Sequence, residues 1–366
     1  MRPKVAYTIE QCWHAVPGGT AVAGIEMARA ITEAGLAELV GVAARHRRPP
    51  PEPFVPPIPV RHLALPRIPL YEAWSRVRVP KVERASGPVD VIHATTIAVP
   101  PRTRPMALTI HDLAFVRYPE HFTAHGLRFF RRNLQLALAD VDLVLCSSKA
   151  VWADAETAGF PPERLRMVPL GVRSEAATTT AVDRVRATYL LERPYILWTG
   201  TVEPRKNLHG LLQAFRALDA NADLVLVGPK GWNEDITALI EPLGDRVKPL
   251  GFVPAGDLGP LYAGASVFTF PSFAEGFGFP VLEAMTQGTP VVTSRGTSTE
   301  EIGGDAVVLI DPTDPGSIAK GLAKVLENDS FAAELGARGK ERAAHFSWDR
   351  TAELLGEVYQ ELAEKN

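Results

Sequence analysis

Two glutamates separated by seven residues and an arginine–lysine pair between glycine-rich turns hold most of this sequence's chemistry. Glu275 and Glu283 lie within Pro271 to Pro290, PSFAEGFGFPVLEAMTQGTP. Gly276 and Gly278 punctuate its first half, where glycine lets backbone amides approach a ligand closely. Pro280 suits the start of a helix, Val281 to Met285 are good helix formers, and Gly288 with Pro290 stops it. Glu275 is therefore expected in a loop and Glu283 inside the helix. A loop opening onto a helix N-terminus gathers unpaired N–H groups and partial positive charge. Carboxylates accept hydrogen bonds, which suits the vicinal hydroxyls of a sugar or ribose.

The second group is Gly200-Thr-Val-Glu-Pro-Arg-Lys-Asn207, between a strand, Tyr195 to Trp198, and a helix, Leu208 to Leu218. Arg205 and Lys206 then sit near a helix N-terminus, where cations oppose the dipole, so a structural role alone is poorly motivated. A diphosphate there would gain from backbone N–H groups, the dipole and both cations. Arginine can bind phosphate in a bidentate way while lysine acts as a mobile point charge.

The elements that must position these residues alternate regularly. Lys4 to Ile9 reads as a strand, Pro17-Gly18-Gly19-Thr20 as a turn, and Ala21 to Ala34 as a helix closed by Gly35. Gly19 and Gly24 have P-loop spacing, but Ile25-Glu26 stands where Lys-Ser/Thr is required, so this is not a nucleotide-triphosphate loop. Leu39 to Ala43 reads as a strand, Arg45 to Pro59 as a basic and proline-rich surface loop, and Tyr71 to Arg84 as a basic helix. Val89 to His93 and Ala107 to Asp112 read as strands, the latter ending in His111-Asp112, where α/β proteins place ligand contacts. Asp112 could instead cap the following turn. Asp142 to Cys146 is a strand, and Ser147-Ser148 caps a helix to about Ala158. Asp140-Val-Asp142 matches a D-x-D metal motif in form, but it enters a buried strand, which favours a structural role.

After the polar, Ala/Thr-rich run Ser174 to Val182, the pattern restarts. Strands are expected at Leu224 to Gly228, Val247 to Val253, Val267 to Phe270, Pro290 to Thr293 and Val307 to Ile310. Helices are expected at Pro315 to Asn328, Ser330 to Ala344 and Trp348 to Glu364. Short aliphatic runs alternating with helices imply parallel, doubly wound sheets.

Glu275-Gly-Phe-Gly-Phe-Pro-Val-Leu-Glu283 resembles the E-x7-E signature of the GT4 retaining glycosyltransferases, and the Gly200–Asn207 stretch resembles their G-x4-[RK]-K-N loop. The resemblance implies the GT-B fold: two Rossmann-like, doubly wound domains facing an interdomain cleft. The expected divisions are an acceptor-binding domain over 1–175, a nucleotide-sugar-binding domain over 176–346, and a helix over 347–366 crossing back to the first. By the resemblance, Arg205 and Lys206 neutralise the departing diphosphate, Glu275 orients the donor sugar, and Glu283 holds the ribose. His111 contacts the sugar, and Leu250-Gly-Phe252-Val253 lines the nucleobase. Gly18, Gly19, Gly200, Gly276, Phe277, Gly278 and Val281 complete the donor-binding set. Family members often have arginine directly after the first glycine of the basic loop. Thr201 stands there, so Arg205 is expected to take that role.

The activity implied is retaining transfer of a sugar from a nucleotide diphosphate donor to a glycan or lipid-linked acceptor. The Thr-Val-Glu-Pro-Arg-Lys-Asn form of the loop resembles that of mannosyltransferases, which points to mannose from GDP-mannose, with a UDP-linked donor the other option. Fixed positive groups would stabilise the leaving group. No cofactor and no metal is expected. The competing readings are a GT-B-like sugar-nucleotide epimerase, for which no set of acid–base residues beyond His111 is evident, and a non-catalytic nucleotide-sugar-binding protein.

Composition bounds the rest. The 366 residues are 46% hydrophobic and 22% charged with net charge −3, which suits about two soluble domains and disfavours nucleic acid as a partner. Cys12 and Cys146 are the only cysteines, as expected of a reducing compartment. The N-terminus lacks a signal-like apolar run, and no stretch of about 18 apolar residues occurs. A cytoplasmic location is expected, with peripheral contact to the inner face of the plasma membrane as an option. Arg128, Phe129, Arg131 and Arg132, within His125 to Leu134, interleave charge and aromatic surface for such contact, although Phe130 and Leu134 could equally face the core.

Overall fold

A computed structural model describes residues 2–173, 175–229, 231 and 236–365. Ser174, the first residue of the Ala/Thr-rich run, lies outside the described residues, as do Met1 and Asn366 at the ends of the expected divisions. The chain forms two compact units. One comprises Met1–Gly171 with Ser347–Asn366, the other Val172–Phe346.

The N-terminal unit is built on seven parallel strands, β1 Lys4–Thr8, β2 Glu38–Ala43, β3 Val60–His62, β4 Val91–Ala94, β5 Met106–Ile110, β6 Leu143–Cys146 and β7 Leu165–Met167. Their order is β3-β2-β1-β4-β5-β6-β7. The strands β4, β5 and β6 are buried along their whole length, which is why they read as apolar runs without alternation. The chain winds outward from β1 to β3 and restarts at β4, so the order reverses between β1 and β4.

Three local expectations change. The helix after β1 is Gly18–Ala34, so Gly18 and Gly19 form its first turn instead of a separate one. Gly18 has φ 61°, a left-handed conformation that favours glycine, and Gly35 (φ 65°) closes the far end by donating to the Ile31 and Thr32 carbonyls. The helix expected over Tyr71 to Arg84 is two pieces, Arg67–Arg76 and Glu83–Ser86. Between them Arg78 adopts φ 55° and Pro80 lacks the N–H that continuation requires. Strand β3 was not expected, because its three residues are exposed or half-exposed at a sheet edge and carry no apolar pattern.

The last helix, Trp348–Ala363, belongs to this unit. Leu355, Tyr359 and Leu362 on it are fully buried. Gly356 lets it approach the helix Gly18–Ala34 and its cap, since a Cβ there would lie 3.0 Å from Leu36. Tyr359 Oη meets His93 Nδ1 at 2.7 Å, and Arg166 pairs with Glu361 at 2.7 Å.

The second unit holds six parallel strands, β8 Tyr195–Thr199, β9 Asp223–Val227, β10 Val247–Gly251, β11 Val267–Phe270, β12 Val291–Ser294 and β13 Val308–Ile310, in the order β10-β9-β8-β11-β12-β13. Here the reversal lies between β8 and β11. The loops leaving their carboxyl ends are Gly200–Asn207 and Pro271–Gly278, so the topology alone sets the basic pair beside the first glutamate. Close backbone crossing at this edge also explains a glycine: a Cβ on Gly228 would lie 1.8 Å from the Gly200 carbonyl oxygen.

Candidate functional site

In the loop after β8, Pro204–Lys206 forms one turn of 3-10 helix and Asn207 follows at φ 54°. Asn207 Oδ1 caps the helix Leu208–Ala217 by accepting from Gly210 N at 3.2 Å. Its Nδ2 donates to the Pro271 and Pro312 carbonyls at 3.1 and 2.7 Å, and Phe273 N donates to the Arg205 carbonyl at 2.9 Å. The two loops at the reversal point are thereby stitched together. The asparagine also occupies one of the helix N–H groups that the sequence offered to a diphosphate.

Four charges converge there. Lys206 Nζ lies 2.7 Å from Glu275 Oε1 and 4.5 Å from the centre of the Phe270 ring. Arg205 Nη1 lies 3.0 Å from Glu275 Oε2 and donates to the Ala274 carbonyl at 2.7 Å, while Nη2 lies 2.6 Å from Glu203 Oε1. Glu203 and Glu275 expose only 6% and 8% of their side chains, so both carboxylates depend on these partners. Burial pushes the Glu275 carboxyl up, but Arg205 and Lys206 outweigh it and hold it below its ordinary range. Burial and the Arg205 charge lower the Lys206 ammonium, against the pull of Glu275. The Glu275 shift favours its ionised form, whereas burial of Lys206 works against its charge and the ion pair with Glu275 works for it. Glu203 is the member sequence reasoning missed: a glutamate two residues before an arginine carries no signal that its side chain is buried.

Glu283 stands on the helix Phe279–Gln287. The preceding Gly278 has φ 106°, and a Cβ on it would lie 2.7 Å from Thr299 Cγ2, so glycine is needed for both conformation and space. The Glu283 carboxylate accepts from Tyr262 Oη at 2.9 Å, and Tyr262 Oη meets Thr199 Oγ1 at 2.8 Å. Burial pushes the Glu283 carboxyl up, with the Tyr262 hydroxyl opposing. Thr199 ends β8 and adjoins Gly200, so it lies at the same sheet edge as the charged cluster. Tyr262 and Thr199 were likewise absent from the sequence reading.

The remaining candidates of this unit differ in what they present. Phe252 is 71% exposed just past β10, whereas Val253 is buried. Phe277 packs edge-on against Phe279 and Phe346, and Val281 is fully buried. These two offer a ligand only their main chain.

His111, Gly18 and Gly19 belong to the N-terminal unit. His111 follows β5 directly, and its Nε2–H donates to the Thr95 carbonyl at 2.9 Å, since a carbonyl can only accept. Burial lowers its pKa, with the Thr95 carbonyl and Asp112 opposing, so the neutral ring presents Nδ1 as an acceptor. Asp112 caps the next turn through Ala114 N at 3.0 Å. Gln11 Nε2 donates to Thr95 Oγ1 at 2.8 Å, and Gly24 makes room for it: a Cβ there would lie 2.6 Å away. Gly18 and Gly19 are exposed at the helix start.

Asp140 pairs with Arg78, and Asp142 with Arg102 and the Met106 N–H, so the D-x-D carboxylates hold the fold together. Among the described residues no group of three or more His, Cys, Asp or Glu side chains is placed to hold a metal ion. Phe129 stacks on Tyr71 at 5.7 Å and Phe130 on Phe115 at 5.1 Å. The segment therefore presents Arg128 and Arg131 to solvent and keeps its aromatic rings for packing, while Arg132 lies 3.7 Å from Glu72. Among the described residues no helix is long and apolar enough to cross a membrane.

Two doubly wound parallel sheets, one carrying a basic pair and two glutamates at its reversal point, define a protein of the GT-B class. Residues 17–176 match the model described as Glycosyltransferase Family 4, and residues 183–342 match that of glycosyl transferases group 1. An Escherichia coli O-antigen chain mannosyltransferase B is 33% identical over 71% of this chain and 71% of that protein. A D-inositol 3-phosphate glycosyltransferase of Salinispora tropica is 32% identical over 94% of this chain and 81% of its own length. The fold of Anabaena HepE, solved in complex with UDP and glucose, superposes with TM-score 0.78 at 20% identity, covering 99% of this chain and all of that one. The chain belongs to the family 4, group 1 glycosyltransferases.

Proposed function

We propose that the chain transfers mannose from GDP-mannose to a saccharide or lipid-linked acceptor with retention at the anomeric carbon and without a metal ion. The observation that carries this reading is the convergence of Arg205, Lys206 and Glu275 where β8 and β11 adjoin. Breaking the anomeric bond leaves negative charge on the diphosphate. Lys206, with two ammonium protons beyond the one given to Glu275, and the guanidinium of Arg205 behind it form a fixed positive background for that charge. Such a pair can supply the neutralisation that other transferases draw from Mg²⁺. Glu275, anchored by both cations, is assigned to the sugar hydroxyls, and Glu283 to the ribose. Exposed Phe252 is assigned to the base. The mannosyl donor is supported by the mannosyltransferase named among the relatives at 33% identity.

The test is nucleotide release from a panel of GDP- and UDP-sugars, with and without saccharide acceptors and with a chelator in one arm. GDP released from GDP-mannose, unchanged by chelator, is the expected result. An epimerised donor with no nucleotide release refutes transfer, release from UDP-sugars alone refutes the donor, and strict dependence on added Mg²⁺ refutes the metal-free mechanism.

A further inference from the structure

Glu283 differs from every other carboxylate at this sheet edge. Glu203 and Glu275 are held by arginine and lysine, whereas no cation reaches Glu283 among the described residues, and its one side-chain partner is the Tyr262 hydroxyl. Tyr262 comes from the helix Ala255–Ala263, is 1% exposed, and is itself locked on three sides. Its ring meets Phe268 edge-on at 5.2 Å, its carbonyl accepts from Thr289 Oγ1 at 2.7 Å, and its hydroxyl meets Thr199 at 2.8 Å.

The direction of the hydrogen bonds follows from counting protons. Tyr262 Oη gives its single proton to Glu283 Oε2, so Thr199 must donate to the Tyr262 oxygen. The result is a one-way relay, Thr199 to Tyr262 to Glu283, whose members polarise one another in a buried setting. Burial also raises the Tyr262 pKa well above its ordinary value, so the phenol stays a donor throughout the working pH range. One carboxylate oxygen is thus pinned, and Oε1 is left with no described protein partner.

We propose that Tyr262, backed by Thr199, is the positioning residue that aims Glu283 Oε1 at the nucleotide's ribose hydroxyls. The inference rests on the assignment of Glu283 to the ribose. It makes the Thr199–Tyr262 pair a determinant of ribose selectivity that acts without touching the ligand. A rotatable carboxylate would have to be ordered by the nucleotide itself at the expense of affinity. Tyr262 orders it beforehand.

The probes are GDP and UDP with their 2′,3′-dideoxy counterparts, titrated calorimetrically against the full chain, its Tyr262→Phe variant and its Thr199→Val variant. The unaltered protein is expected to prefer the ribose form by roughly tenfold or more, the scale of one lost hydrogen bond to a charged group. Tyr262→Phe should weaken binding of the ribose form by roughly tenfold and leave the dideoxy form unchanged, so that the preference collapses. In turnover the donor KM should rise while kcat stays within about threefold, because the ribose is remote from the reacting bond. Thr199→Val should act in the same direction with smaller size, and it serves as the test if Tyr262→Phe fails to fold. A purely structural Tyr262 would lower the melting temperature with the ribose preference intact, which overturns the inference and leaves the Glu283 assignment standing. Equal binding of ribose and dideoxy forms by the unaltered protein, or binding of neither nucleotide, overturns the Glu283 assignment and this inference together.

Discussion

Replacing Lys206 with alanine separates the structural from the chemical role of the charged cluster. The substitution removes the 2.7 Å contact to Glu275 and the ammonium over Phe270. Breaking a buried ion pair by deleting one partner costs about 3–5 kcal/mol when the other is left alone. Glu275 is not left alone, because Arg205 Nη1 remains 3.0 Å from its second oxygen. The stability loss should therefore be smaller, about 1–2 kcal/mol, or a melting shift of a few degrees for a unit of this size. Turnover should fall much further. Loss of a charge contact to a developing anion costs on the order of 10²-fold, about 2.7 kcal/mol of transition-state stabilisation. The assay is nucleotide release at saturating donor, paired with thermal unfolding of the same preparations. Lys206→Arg keeps the charge but replaces a mobile ammonium with a planar fork, and should fall between the two. A folded Lys206→Ala variant turning over within about threefold of the unaltered enzyme would remove the lysine from the mechanism.

Two further expectations concern the N-terminal unit. His93 is wholly buried between Tyr359 and Thr109, and burial together with nearby His111 pushes its pKa down to about 3. The unfolded chain then binds the proton more readily between about pH 3 and 6.5, so stability is lost as pH falls below 6.5, by about 2 kcal/mol at pH 5. The drop in melting temperature from pH 7.5 to 5 should shrink by the corresponding amount in His93→Gln, and identical profiles would refute the assignment. Deleting residues 347–366 strips Trp348, Leu355, Val358, Tyr359 and Leu362 from the core. At about 1.5–3 kcal/mol each this matches the whole stability of a typical domain, so limited proteolysis should find residues 2–171 unfolded; full protection would refute the estimate.

Features governed by neighbours in sequence were legible without coordinates. The buried strands announced themselves as apolar runs, and the helix stops at Gly35 and Gly288 as left-handed caps. The caps at Ser148 and Asp112 followed from side chains that bond the backbone two or three residues on. The edge strand Val60–His62 was hidden because an exposed three-residue strand needs no apolar alternation. The break after Arg76 was hidden because the helical pattern on either side survives the interruption at Pro80.

At the candidate site the same division holds. The residue types and spacing of Arg205, Lys206, Glu275 and Glu283 are local facts, and the sequence alone determined that a basic pair and a pair of glutamates sit at two strand–helix junctions. Only the tertiary structure decided which charges meet. Arg205 and Glu275 are 70 positions apart, and they pair because the sheet order sets β11 beside β8 and so brings the two loops to one edge. The same packing buries Glu203 and sets Tyr262 under Glu283. Those partnerships depend on which helix covers which strand, and the separation of residues along the chain carries no record of it.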